Sequence, residues 1–286
     1  MERTLDVAIC GAGPVGMALA ALLVRRGIAG PKVGLIDAKS LGAATTDPRS
    51  IALSYGSRLL LEEIGAWPVP ATAIHQIHVS RRGQFGRSMI ERSEEDVPAL
   101  GYVTRYGELV SALAAACERA AIATMRPARV TGIDEQIDGV TLHLDDGRLL
   151  AAALAVQAEG GVFGKQAPRA LQRDYGQSAV IARVAASAPI AHRAYERFTD
   201  EGPLALLPQD GVDGLQYALV WCVQADHAAG LLELDDAAFM ARLGEASGGR
   251  LGRFTRVSHR SAYPLGLNAE PGASPRTVAI GNAAQT

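Results

Sequence analysis

Leu5-Asp6-Val7-Ala8-Ile9-Cys10-Gly11-Ala12-Gly13-Pro14-Val15-Gly16 is the stretch on which the fold turns. Leu5 to Cys10 is a nearly continuous apolar run, which suits a strand buried on both faces of a parallel sheet. The glycines that follow allow a tight turn, close backbone approach to a pyrophosphate and close packing of the next helix on the sheet. Pro14 opens a predicted helix that runs to Arg26, where Gly27 stops it. Lys32 to Asp37 is the next predicted strand, so the segment reads as a βαβ unit. Its helix N-terminus offers free N–H groups to phosphate, and Asp37 stands where a ribose hydroxyl would be held. A glycine-rich turn alone is also a common structural device. Strand, turn, helix and acidic strand end together favour a dinucleotide site.

Downstream, the spacing predicts a helix from Gly56 to Ile64, a hairpin over 73–91 and a helix over 108–123, with Leu109, Leu113, Ala116 and Ala120 on one face. Arg129–Ile133, Val140–Leu144 and Leu149–Val156 read as a meander, turned at Asp145-Asp146-Gly147. Strands then follow one another (178–185, 193–199, 203–207, 215–224), interrupted by a helix over 236–246 that Asp235 caps. Arg276–Ile280 is again an apolar strand. It enters a turn at Gly281-Asn282-Ala283-Ala284, and the sequence is expected to be truncated there. The fold class is α/β: a Rossmann-like βαβ domain with a second, mostly antiparallel β-sheet domain. The first takes 1–72, 100–177 and 268–286, discontinuously; the second, which faces the substrate, takes 73–99 and 178–267.

Composition excludes several classes. Of 286 residues, 48% are apolar and 20% charged, which fits a chain with a core. Net charge is −2 and no Lys/Arg run supplies a basic face, so a nucleic-acid partner is not expected. Cys10, Cys117 and Cys222 are far apart, which suits a reducing cytoplasm. The apolar stretch Met17–Val24 is far short of a membrane span of roughly 20 residues, and Asp6 with the Gly11–Gly16 cluster argues against a secretory leader.

Other motifs are weaker. Arg49, after the stiff Asp47-Pro48, either meets phosphate or ribose oxygens or is a solvated loop arginine. His75 and His78 sit at an odd offset, which in a strand parts them to opposite faces, so no metal site is expected. No Gly-x-Ser-x-Gly elbow occurs. Trp221 and Cys222 read as core, and Tyr263-Pro264-Leu265 as a strand end or a pocket wall.

Across its whole length the chain resembles the flavin-dependent aromatic hydroxylases, the para-hydroxybenzoate hydroxylase-like monooxygenases. Within them it resembles the ubiquinone-biosynthesis branch, of the polyprenyl-methoxyphenol hydroxylase type. The segments that carry this are Gly11–Gly16; Asp47-Pro48-Arg49-Ser50-Ile51-Ala52-Leu53-Ser54; Ala99-Leu100-Gly101-Tyr102-Val103; Glu196-Arg197-Phe198-Thr199; Gly202–Pro208; Leu219-Val220-Trp221-Cys222; Arg260–Leu265; and Gly281-Asn282. The resemblance implies an FAD-dependent class A monooxygenase that takes electrons from NAD(P)H. It would use O2 to hydroxylate a polyprenylated (methoxy)phenol through a flavin C4a-hydroperoxide. Gly11, Gly13, Pro14, Val15 and Gly16 would line the pyrophosphate, Asp37 would hold the adenosine ribose, and Arg49 would lie near the pyrophosphate and ribityl chain. Arg105, Glu159, Gly281 and Asn282 would complete the cofactor site; no catalytic acid or base is named.

Three departures stand out. The family's Ala-Asp-Gly is Ala158-Glu159-Gly160 here, and Phe163 replaces a serine. The register at Arg105-Tyr106 is loose. The family's further C-terminal segment, which lies against the flavin ring, does not occur in this sequence. A non-catalytic component of a ubiquinone-synthesis complex therefore remains an alternative, as does an NAD(P)-dependent dehydrogenase. The apolar prenyl tail implies a cytoplasmic protein that works at the inner-membrane surface or in a multi-enzyme assembly.

Overall fold

A computed structural model describes residues 5–159, 171–211, 214–269 and 274–284. Leu5–Cys10 is the central strand of a seven-stranded sheet, parallel to Val33–Ile36 on one side and Leu149–Gln157 on the other. Ile9 and Cys10 are fully buried, as their run of apolar residues requires. Ala123–Met125 extends the sheet beyond Val33–Ile36, and Thr277–Ala279 joins in parallel to Leu149–Gln157. The helices Pro14–Arg25 and Tyr106–Arg119 cover one face through Met17, Ala20, Leu109 and Leu113. The meander Val130–Gln136, Gly139–Leu144 and Leu149–Gln157 closes the other face, with Ala8, Cys10, Leu142 and Ala155 in its core.

An eight-stranded sheet forms the second layer. In spatial order it runs Phe254–Val257, Leu171–Ala186, Gly214–Gln224, Pro203–Gly211, Arg193–Phe198, Gln76–Arg81 and Arg87–Glu91, with Ser261–Ala269 pairing Leu171–Ala186 as well. All its ladders are antiparallel except Arg193–Phe198 with Gln76–Arg81. Two helices, Ala225–Glu233 and Asp236–Ser247, pack on one face over Tyr217, Leu219, Trp221 and Leu204. Trp221 and Cys222 are buried, in line with a core reading.

The structure corrects several local expectations. The 73–91 hairpin is Gln76–Arg81 with Arg87–Glu91. The residues before it, Ala71–Ile74, belong instead to a three-stranded sheet with Ser50–Ser54 and Gly101–Arg105. The chain changes sheets at His75, where the His75 and Gln76 N–H groups both donate to the His192 carbonyl (2.8 and 3.2 Å). His75 stacks on His192 with ring centroids 4.3 Å apart, while His78 turns into the interior beside Tyr195. The helix Ala225–Glu233 was not expected. It follows its strand directly and has no side-chain cap, so no start signal marks it.

Candidate cofactor site

The glycine turn is built by three different constraints. Gly11 has φ +111°, and a Cβ there would lie 2.7 Å from the Ala158 backbone. A Cβ on Gly16 would lie 1.9 Å from the Gly11 carbonyl oxygen, so the helix can pack only on glycine. Gly13 is different: φ is −79°, and a Cβ would meet only the Tyr106 hydroxyl, at 3.5 Å. Neither backbone strain nor protein packing requires a glycine there, so the space beside it is free for a ligand.

The helix that starts at Pro14 has no side-chain cap and no acidic residue in its first turn. Met17 N–H donates to the Gly13 carbonyl (3.0 Å). Among the described residues the N–H groups of Gly13, Val15 and Gly16 have no protein acceptor, an arrangement that attracts phosphate. Asp37 follows the strand Val33–Ile36. Its Oδ2 accepts from Ala12 N–H and its Oδ1 from Lys39 N–H, each at 2.7 Å. A carboxylate has about four acceptor positions, so two remain for ribose hydroxyls.

Glu159 comes next to the turn on the far side, its backbone N 2.7 Å from where a Gly11 Cβ would sit. Burial pushes its carboxyl pKa up, the Asp37 charge pushes it further, and Arg129 partly offsets both. Gly160 and Phe163 lie outside the described residues. Gly281, at φ +59°, brings the other end of the chain to the turn: a Cβ on it would lie 3.1 Å from Val15 Cγ1. Asn282 beside it is exposed. The backbone is fixed there by Ile280 N–H donating to the Gln157 carbonyl (2.9 Å).

Arg49 takes a third course beside the two its sequence left open. Its Nη2 and Nε grip Asp47 (2.7 and 2.9 Å). Its guanidinium lies 5.1 Å from the Tyr106 ring centre and 5.9 Å from that of Tyr263. Hydrogen bonding to Arg49 holds the Asp47 carboxyl below its usual range. Tyr106, not singled out in the sequence, thus touches both the glycine turn and Arg49, and Tyr263 joins them from the eight-stranded sheet. No sequence signal marked Tyr106: the helix was expected to start at residue 108, and only packing brings its true first residue beside the glycine turn. Arg105 caps the same helix but is exposed. It lines a cleft with Arg183, Gln216, Arg256 and Ser258.

The open face of Gly13, the uncapped helix start and the spare acceptors of Asp37 fit the pyrophosphate and ribose of a dinucleotide. Residues 4–255 match the model of the FAD binding domain family. The chain belongs to that family. It is 31% identical to an uncharacterized protein of Synechocystis over 99% of this chain and 70% of that one. It is also 31% identical to ubiquinone hydroxylase UbiL of Rhodospirillum rubrum over 94% of this chain and 63% of UbiL. With the 3-demethoxyubiquinol 3-hydroxylase of Escherichia coli it shares 26% identity over 100% of this chain and 74% of the enzyme. The chain thus spans about two thirds of the length of the curated relatives it matches. Among solved structures, PqsL of Pseudomonas aeruginosa, a probable FAD-dependent monooxygenase, superposes with a TM-score of 0.76 at 18% identity, covering 99% of this chain and 79% of PqsL. The fold is therefore that of FAD-dependent monooxygenases, and FAD is the cofactor of this family.

Proposed function

We propose that this chain belongs to an FAD-dependent monooxygenase that hydroxylates a polyprenylated phenol or methoxyphenol in ubiquinone synthesis, with NAD(P)H as reductant. The observation that carries the reading is the ligand-ready glycine turn, with Gly13 open and Asp37 beside it, in a chain whose named relatives are ubiquinone hydroxylases. When bound, the flavin supplies the activation of O2. The protein's part is to bind, orient and exclude water.

In this reading the N–H groups of Gly13, Val15 and Gly16 hold the pyrophosphate, and Asp37 holds the ribose. Gly11 and Pro14 shape the turn. Arg49, steadied by Asp47 and two tyrosines, keeps a fixed positive charge beside it. Arg105, Glu159, Gly281 and Asn282 border the same cofactor. In this reading 73–99 and 178–267 are the substrate-facing domain and 1–72, 100–177 and 268–286 the FAD domain, although the strand Leu171–Ala186 of the eight-stranded sheet begins before residue 178. Among the described residues no helix is long and apolar enough to cross a membrane. The prenyl tail of the substrate points to work in the cytoplasm at a membrane surface or within an enzyme assembly.

Full-length protein supplied with FAD, a reduced nicotinamide, isotopically labelled O2 and a polyprenylated methoxyphenol tests the proposal. Label in the phenol product is expected. Label taken from water, or nicotinamide oxidation indifferent to the phenol, overturns it.

A further inference from the structure

On the face of the eight-stranded sheet that carries its two helices, a small cavity gathers polar groups for which the cofactor site has no use. The parallel ladder places Tyr195 opposite His78 and Arg197 opposite Ser80, so all four side chains emerge on one face. The turn Ser247–Leu251 closes the space above them. Ala194, between Tyr195 and its neighbour, faces the other way and packs with Val103 of the three-stranded sheet. The cavity is thus on the side of the sheet turned away from that seam.

His78 is 2% exposed and Tyr195 7%. His78 Nε2, the Tyr195 hydroxyl and Arg197 Nε are all buried without a hydrogen-bond partner, and all three residues line this one cavity. Leaving such groups unpaired is costly, more so for a charged one, so their convergence calls for an occupant. The residues lining the cavity include Arg197 and Arg250 and no carboxylate. The Arg197 pKa is pushed down by burial and then by the like charges of Arg250 and Arg82. The His78 pKa is pushed down by burial and then by Arg250.

The cavity, with about 10 Å³ of accessible volume, admits a single small occupant. A water can satisfy these hydrogen bonds, accepting from Arg197 and Tyr195 and donating to His78, but it leaves the positive charge of Arg197 and Arg250 without a counter-charge. An anion accepts from Arg197 Nε–H, from the Tyr195 hydroxyl and from His78 in the tautomer with its proton on Nε2, and it offsets the charge of Arg197 and Arg250 together.

We propose that this cavity is a binding site for a single small anion of halide size, held by Arg197, Tyr195 and His78 and screened by Arg250. It ties the turn after the helix Asp236–Ser247 to the sheet. The site is independent of flavin chemistry, and its test does not read activity.

Bromide serves as the probe. Crystals of the full-length protein grown with bromide should show an anomalous peak between Tyr195 and Arg197. In solution, bromide titrated against gluconate at constant ionic strength should raise the Tm along a saturable curve. Tyr195→Phe removes one donor, and Arg250→Gln, at an exposed position, removes one charge without risk to the core. Each should weaken the apparent bromide affinity by about tenfold. A water in place of the bromide peak, or a bromide response unchanged in both variants, overturns the proposal. If Tyr195→Phe fails to fold, Arg250→Gln alone decides the solution measurement.

Discussion

Gly13 and Gly16 share one turn, yet the fold needs only one of them to be glycine. Gly16 is held by packing, since its Cβ would sit 1.9 Å from the Gly11 carbonyl oxygen, a distance no relaxation of a helix start absorbs. Gly13 has an ordinary extended backbone and open space. Gly13→Ala should therefore leave the Tm of the flavin-free protein within about 1 °C, since surface substitutions away from special features seldom exceed ±0.5 kcal/mol. The same methyl group should weaken FAD binding by at least about tenfold, because it occupies the approach of the pyrophosphate. Gly16→Ala should instead lower the Tm by several degrees even without flavin. Thermal melts of the apoproteins and flavin titrations of both variants separate the two roles. Glu159 carries a different signature. Its pKa is raised in the folded chain by burial and by Asp37, so folding favours its protonated form. Its charge then opposes folding at neutral pH, and that penalty disappears as pH falls below the ordinary glutamate range. Glu159→Gln should raise the Tm at neutral pH and lose this advantage in acid, as melts across a pH series would show. An advantage that grew towards acid pH would contradict this account of Glu159.

Elements with strong local signals formed where their residues demanded. The strand Leu5–Cys10, the helix Pro14–Arg25 and the Asp-Gly turn, with Gly147 at φ +84°, follow from apolar runs, a proline at the helix start and a glycine in the left-handed region. Asp235 caps its helix as its type and position require, accepting from Ala238 N–H at 2.7 Å. Asp235→Ala should cost about 1 kcal/mol, read as a fall of roughly 2–4 °C in Tm, with FAD binding unchanged because the helix lies on the far face of the sheet. The three-stranded sheet was not legible. Ser50–Ser54, Ala71–Ile74 and Gly101–Arg105 are short, and each is defined by a partner far away in the chain, such as Ile51 opposite Thr104. The cofactor site divides the same way. The turn and Asp37 were legible because one contiguous unit contains them. The pairing of Arg49 with Asp47 is local, but its place between Tyr106 and Tyr263 needed three separate segments to meet.

At the scale of the molecule, the seam between the three-stranded and the eight-stranded sheet fixes how these two parts of the chain sit against each other. Polar ties cross it. Ser50 Oγ donates to Gln209 Oε1 (3.0 Å), and Thr72 makes a closed pair with Asp210. In that pair Thr72 Oγ1 donates to Asp210 Oδ2 (2.9 Å) and accepts from Asp210 N–H (2.7 Å). Thr72 is 4% exposed and Gln209 5%, whereas Asp210 is exposed, so its carboxylate also meets water. Apolar contact backs them: Ile74 and Val103 of the three-stranded sheet pack on Ala194 and Ala218 of the eight-stranded one. Thr72→Val keeps the shape but removes the hydroxyl, so the Asp210 N–H loses its acceptor while the exposed carboxylate turns to water. The expected cost is about 1 kcal/mol, a Tm fall of roughly 2–4 °C in a chain of this size class. Thr72→Ser keeps both hydrogen bonds and should recover most of it. A looser seam also admits water between cofactor and substrate, so Thr72→Val should lower the fraction of oxidised nicotinamide that yields hydroxylated product, while the FAD affinity, set by the distant glycine turn, stays within about twofold. Product formed per nicotinamide consumed, measured beside a flavin titration for both variants, reads the two effects separately. A Thr72→Val protein with unchanged Tm and unchanged product yield would show that the apolar contacts alone hold the seam.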